Sequence, residues 1–148
     1  ISLEARVHWA VQQHCPTHVV QLYGQLLPGS GPLHKACVVM ELAVGTLREL
    51  LHPDPPRPQR EVLAEAAPLL EQLAMGLGHL HQRGMAHGDI KPANVLLIRH
   101  ATGRLRAKMA DFGLARVATE EGNDTVLEPK GTPRYMACEL FREPPLRA

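Results

Sequence analysis

The chain has 148 residues, enough to bury the core of one domain, and 45% of them are hydrophobic, an ordinary share for a globular protein. A net charge of +1, with arginines scattered rather than clustered, gives no footing for nucleic acid or an acidic membrane surface. No apolar run approaches the ~18 residues that a membrane helix needs, and three widely spaced cysteines, Cys15, Cys37 and Cys138, fit neither a disulfide framework nor a zinc pattern. Such thiols predict a reducing, cytoplasmic setting, with the nucleus left open. Residues 1–6 do not read as a signal peptide, and the missing initiator Met suggests a fragment.

Leu3, Val7, Ala10 and Val11 recur at helical spacing and predict a helix over 3–13, with Ser2 as its N-cap. Cys15-Pro16-Thr17 ends it. Val19–Tyr23 is β-rich and predicts a strand. After the turn cluster Pro28–Pro32, the apolar run Ala36–Met40 predicts a second strand, antiparallel to the first. Gly45-Thr46-Leu47 opens a helix through Leu51. The prolines of 52–58 forbid helix and make a connector. A long helix is expected over 60–83, with Leu70, Leu73, Leu77 and Leu80 on its buried face. Pro68 either starts its main part or kinks it, and Gly84 stops it. Gly76 and Gly78 lack the third glycine and the preceding strand of a phosphate loop, so close packing is their expected reason. His79, His81 and His87 match no metal-ligand spacing. Val95–Ile98 and Leu105–Ala110 predict a hairpin whose turn is Ala101–Arg104.

The chemistry-bearing groups lie at the ends of that hairpin. His87-Gly88-Asp89-Ile90-Lys91-Pro92-Ala93-Asn94 holds a carboxylate, a cation and an amide at fixed offsets, and Asp111-Phe112-Gly113 adds a second carboxylate. Phosphoryl transfer needs these types: an acid to orient a hydroxyl, a cation for phosphate charge, and oxygen ligands for magnesium. Each residue alone reads first as a turn residue or a surface lysine; the combination at these offsets reverses that reading.

Together these stretches resemble a eukaryotic protein kinase domain, with its H-R-D-x-K-x-x-N catalytic loop and D-F-G metal loop. The resemblance implies an incomplete α+β, protein-kinase-like two-lobe fold. Residues 1–40 would be an N-lobe remnant, 41–47 the hinge, and 48–148 a C-lobe portion with the catalytic loop and activation segment. It implies ATP and Mg²⁺ as cofactors and a protein substrate with a Ser/Thr acceptor. By the same resemblance Asp89 orients the acceptor hydroxyl, Lys91 offsets γ-phosphate charge, and Asn94 and Asp111 hold the metal. Met40 becomes the gatekeeper, Glu41 and Ala43 supply hinge backbone groups to adenine, and Leu96 lies beneath the ring. His87 and Phe112 join a stacked apolar column. Glu4 matches the helical glutamate that pairs with a strand lysine, although the helix dipole also favours Glu there. Gly131–Glu139 resembles the G-T-x-x-Y-M-A-P-E ending of serine/threonine kinases, in which Thr132 hydrogen-bonds Asp89 and Lys91; Thr119 and Thr125 are candidate phosphorylation sites.

Three departures qualify the resemblance. Gly88 replaces the loop arginine that normally pairs with an activation-segment phosphate, so weak control by that phosphate is expected. Thr125→Ala should then change activity little, and a large fall would reject the expectation. Cys138 replaces a proline. These 148 residues contain no glycine-rich phosphate loop and no strand lysine to pair with Glu4, so the bare chain is expected to be poorly stable and nearly inactive. An ATP-dependent serine/threonine kinase is the first reading. A pseudokinase or truncated interaction module is the alternative, and a small-molecule kinase the third.

Overall fold

The apolar periodicity at the start of the chain forms helix α1, Leu3–His14, in the computed structural model, which describes residues 3–26, 37–117 and 131–138, with side chains from residue 5 onward. Helix α1 buries Ala5, His8, Val11 and Gln12. Its polar members find partners in the segment that follows. His8 Nε2 donates to the Val20 carbonyl at 2.6 Å. Gln12 accepts from Leu22 N at 2.6 Å and donates to Leu22 O at 3.1 Å. Leaving such buried groups unpaired would cost about 1–3 kcal/mol each.

The first strand lies further along than the β-rich run predicts. Strand β1, Leu22–Leu26, pairs antiparallel with β2, Cys37–Met40, through Leu26↔Cys37 and Leu22↔Met40, with an irregularity between Leu22 and Gly24. Val19 and Val20 pair elsewhere: Val19 bridges in parallel to Met109, and Val20 N donates to Met109 O at 2.9 Å. Both valines are fully buried, a state that the rim of a two-stranded ribbon could not provide.

Gly45 and Thr46 do not belong to the following helix. They form β3 and pair with Leu97 and Leu96 of β5, Val95–Arg99. Thr46 is the N-cap of α2, Leu47–Leu51, and closes a capping box: Oγ1 accepts from Glu49 N at 3.2 Å while Glu49 Oε2 accepts from Thr46 N at 2.7 Å.

Helix α3 runs unbroken over Gln59–His81, with Pro68 inside it. The carbonyl four residues back belongs to exposed Ala64, so water can take the bond that proline cannot donate. Its buried positions are Val62, Ala66, Leu69, Gly76 and Leu80, with Leu73 and Leu77 partly buried. Leu70 is 45% exposed, against the sequence expectation; Leu69 and Leu70 are adjacent, and only one can face inward. Gly76 is needed for close packing, since a Cβ there would lie 2.6 Å from His18 Cβ, whereas Gly78 has open space. Gly84, at φ +65, ends the excursion.

Strand β4, Met85–Ala86, pairs with β7, Arg116–Val117. Strand β5 pairs with β6, Leu105–Met109, from Val95↔Met109 to Arg99↔Leu105, giving a sheet in the order β3-β5-β6. One core cluster joins Val11, Cys15 and Val19 to Leu80, Met85, Met109 and Phe112. A second joins Leu47, Ala66 and Leu69 to Val95, Leu97 and Ala107. Helix α3 thus contributes to both clusters and anchors the loop between β4 and β5. The Pro28–Pro32 turn, Ala36, Thr119, Thr125 and Glu139 lie outside the described residues.

Candidate active site

The loop from His87 to Asn94 leaves β4 and enters β5 through a single 3-10 turn, Pro92–Asn94. Asp89 gathers its neighbours. Lys91 Nζ donates to its Oδ2 at 2.5 Å, Thr132 N donates to its Oδ1 at 3.0 Å, and Asn94 Nδ2 donates to its Oδ2 at 3.1 Å and its carbonyl at 3.0 Å. Lys91 Nζ also donates to Thr132 Oγ1 at 2.9 Å. Burial alone would push the Asp89 carboxyl up, but the bonds from Lys91 and Thr132 outweigh it and hold the pKa below the usual carboxylate range. Asp89 is therefore an anion at neutral pH with its oxygens held in place.

The backbone here is unusual at three points. Gly88 has φ +84, and a Cβ would meet the Leu114 carbonyl oxygen at 2.4 Å. Gly131, at φ +125, brings its backbone so close that a Cβ would sit 3.3 Å from Asp89 Oδ1 and from Gly88 O. Asp111 adopts φ 64 without being glycine, a strained state of a kind that clusters at functional sites.

Asn94 and Asp111 line one cavity of about 290 Å³, together with Met40, Leu96, Ala93 and Ala110. Ala5, His8, Leu22 and Val38 complete it. Asn94 uses its amide hydrogens on Asp89, which leaves Oδ1 for a ligand, and Asp111 has no ion-pair partner among the described residues. One neutral and one anionic oxygen are what magnesium uses alongside phosphate oxygens, so the donor set fits that ion. No group of three or more His, Cys, Asp or Glu side chains among the described residues could hold a metal by itself. Glu41 and Ala43 are not among the cavity's described lining. Glu4 lies in the first turn of α1, and its side chain is outside the described residues.

Two features were missed in the sequence. His8 extends the column: its ring centroid is 5.1 Å from that of Phe112, and His87 lies 4.6 Å from Phe112. Asp89 N donates to His87 Nδ1 at 3.3 Å, which leaves Nε2 to donate to Ala110 O at 3.0 Å. Burial lowers the His87 pKa, against opposition from the Ala110 carbonyl, Asp111 and Asp89, so the imidazole is neutral. The second feature is an ion pair between Glu41 and Lys108 at 2.7 Å, with Lys108 Nζ also near Pro16 O at 3.4 Å. Glu41 Oε2 accepts from Gln21 N at 3.2 Å as well. The pair therefore ties the segment after β2 to β6. Helical periodicity could have flagged His8 as inward; nothing local pairs residues 41 and 108.

The described fold and the loop geometry define a chain of the protein kinase class. A family model described as "Protein kinase domain" matches residues 3–147, and the chain belongs to that family. It is 36% identical over 140 residues to the serine/threonine-protein kinase pkn2 of Myxococcus xanthus, covering 92% of this chain and 15% of that protein. It is 42% identical over 110 residues to the serine/threonine-protein kinase TIO of Arabidopsis thaliana, covering 74% of this chain and 8% of that protein. Against the serine/threonine-protein kinase grp of Drosophila melanogaster the identity is 34% over 128 residues, covering 85% of this chain and 23% of the relative. The chain thus spans less than a quarter of the length of each of these relatives.

Proposed function

We propose that the protein carrying these residues transfers the γ-phosphate of ATP to serine or threonine hydroxyls of proteins. The observation that carries the reading is the anchoring of Asp89 by Lys91, Thr132 and Asn94. An ionised, immobilised carboxylate accepts a hydrogen bond from the incoming hydroxyl and holds its oxygen in line with the phosphorus; as the new P–O bond forms, the bond to the β-γ bridging oxygen breaks, ADP leaves with that oxygen, and the hydroxyl proton passes to the Asp89 carboxylate. Lys91 stands beside that carboxylate to offset charge on the transferring group. Asn94 Oδ1 and the Asp111 carboxylate would hold magnesium, which supplies charge neutralisation along the phosphates. Met40 and Leu96 provide apolar walls for adenine, with the backbone of Glu41 and Ala43 as its polar edge, and Glu4 orients the strand lysine. Residues 41–47 act as the hinge between 1–40 and 48–148. Thr132 supports serine/threonine acceptors, and the cysteine pattern supports a cytoplasmic setting.

The test is phosphate transfer to a serine- or threonine-containing peptide by the longer protein, beside its Asp89→Asn variant. Asp89→Asn should lower kcat by a factor of about 10²–10⁴ while the rise in Tm on adding Mg²⁺-ATP is retained. Equal turnover by both proteins would refute the reading.

A further inference from the structure

Another cavity, of about 560 Å³, includes the Asp89 partners Lys91 and Thr132 in its lining, together with Arg48, His52, Pro92, Ala93, Arg134 and Tyr135. Among the described residues its lining contains no carboxylate. Lys91 is neutralised by Asp89, which leaves two guanidinium groups without a compensating charge among the described residues. Arg48 projects from the exposed side of α2, whose Leu47 is buried, and Arg134 lies in the short 3-10 turn Pro133–Tyr135 beside Thr132. Neither guanidinium has a hydrogen-bond or ion-pair partner among the described residues. Glu49, the carboxylate of α2, is taken up by the capping box. Like charges facing one cavity repel each other and raise its potential, and an anion entering it relieves both. A guanidinium fork also matches the geometry of carboxylate and phosphate oxygens.

From this charge pattern we infer that the cavity selects protein segments in which anionic side chains, carboxylate or phosphate, flank the acceptor hydroxyl. The inference rests on the transferase reading only for the nature of the acceptor. Arg48 and Arg134 determine specificity and do not touch the reacting atoms.

The experiment titrates fluorescent peptides into the full-length protein by anisotropy and measures their phosphorylation in parallel. Three peptides share a central serine and differ in flanks: glutamates, arginines, or a phosphoserine. The glutamate peptide should bind about tenfold more tightly than the arginine peptide at low ionic strength, with the preference shrinking as salt is added. Arg48→Glu with Arg134→Glu should abolish the preference at unchanged Tm, and the double Gln variant should reduce it if charge reversal disturbs folding. Phosphoserine binding tighter than glutamate identifies phosphate as the favoured anion; the reverse identifies carboxylate. Equal or tighter binding of the arginine peptide overturns the inference whether or not phosphate is transferred. Binding of the glutamate peptide without transfer upholds the inference and defeats the transferase reading instead.

Discussion

Replacing Thr132 with valine removes one hydroxyl and keeps the shape of the side chain. Thr132 Oγ1 accepts from Lys91 Nζ at 2.9 Å, and Lys91 in turn reaches Asp89 at 2.5 Å, with side chains only 21% and 10% exposed. A hydrogen bond to a charged group contributes about 1.5–3 kcal/mol. Water can reach Lys91 in part, so the lower end applies, about 1.5 kcal/mol. At about 1.4 kcal/mol per factor of ten, the proposed transferase activity predicts that kcat of the longer protein for a serine peptide falls about tenfold. The backbone bond from Thr132 N to Asp89 survives, so folding should be intact, with Tm within a few degrees. A merely structural role would stop there. The positioning role adds a second readout: Thr132 and Lys91 hold the Asp89 pKa down against burial, so the acid limb of the pH–rate profile should move up toward the ordinary carboxylate value, near 3.9. Lys91→Met should be non-additive with Thr132→Val, because both act through one network. A Thr132→Val variant of the longer protein with kcat within about twofold of the parent and an unshifted acid limb would refute this account.

Gly88→Arg, which restores the residue common in the family, should lower stability by about 2 kcal/mol, because a Cβ would press on the Leu114 carbonyl at φ +84; thermal melts read this as a fall of several degrees, and an unchanged Tm would count against it. Lys108→Met should cost about 2–3 kcal/mol in chemical denaturation, since it strands Glu41, whose side chain is 20% exposed; Glu41→Gln added to it should recover part of the loss. Burial lowers the pKa of His87 and, with help from His79, Arg106 and Lys108, of His18. Folded-state values below the unfolded one, near 6.5, mean that the unfolded chain binds more protons on acidification. Stability should therefore hold above about pH 6.5 and decline as the pH falls from there toward the lowered folded-state pKa values, less steeply in His18→Gln; stability that is flat from pH 7 to 5 would contradict the burial argument.

Much of the local structure was readable because near neighbours decide it. The long helix, the hairpin around Ala101–Arg104 and the stop at Gly84 follow from periodicity and turn chemistry, and Thr46 with Glu49 is a capping pair that could have been read from its spacing. Leu69 against Leu70 could not be resolved that way, since both satisfy the helical pattern and only the packing of β5 and β6 chooses between them. Val19 and Val20 have high strand propensity wherever they sit; the choice of Met109 as their partner depends on a surface made by residues ninety positions later.

The site divides along the same line. The sequence alone carried the residue types and offsets at 87–94 and 111–113, because a loop that must present an acid, a cation and an amide in one small volume constrains their spacing. Only the folded chain decided what surrounds them: His8 beside Phe112, Lys108 on Glu41, and Arg48 in one cavity with Thr132 and Arg134. Those contacts join segments far apart in the chain, and electrostatic and packing energies depend on distance in space, which no local pattern encodes.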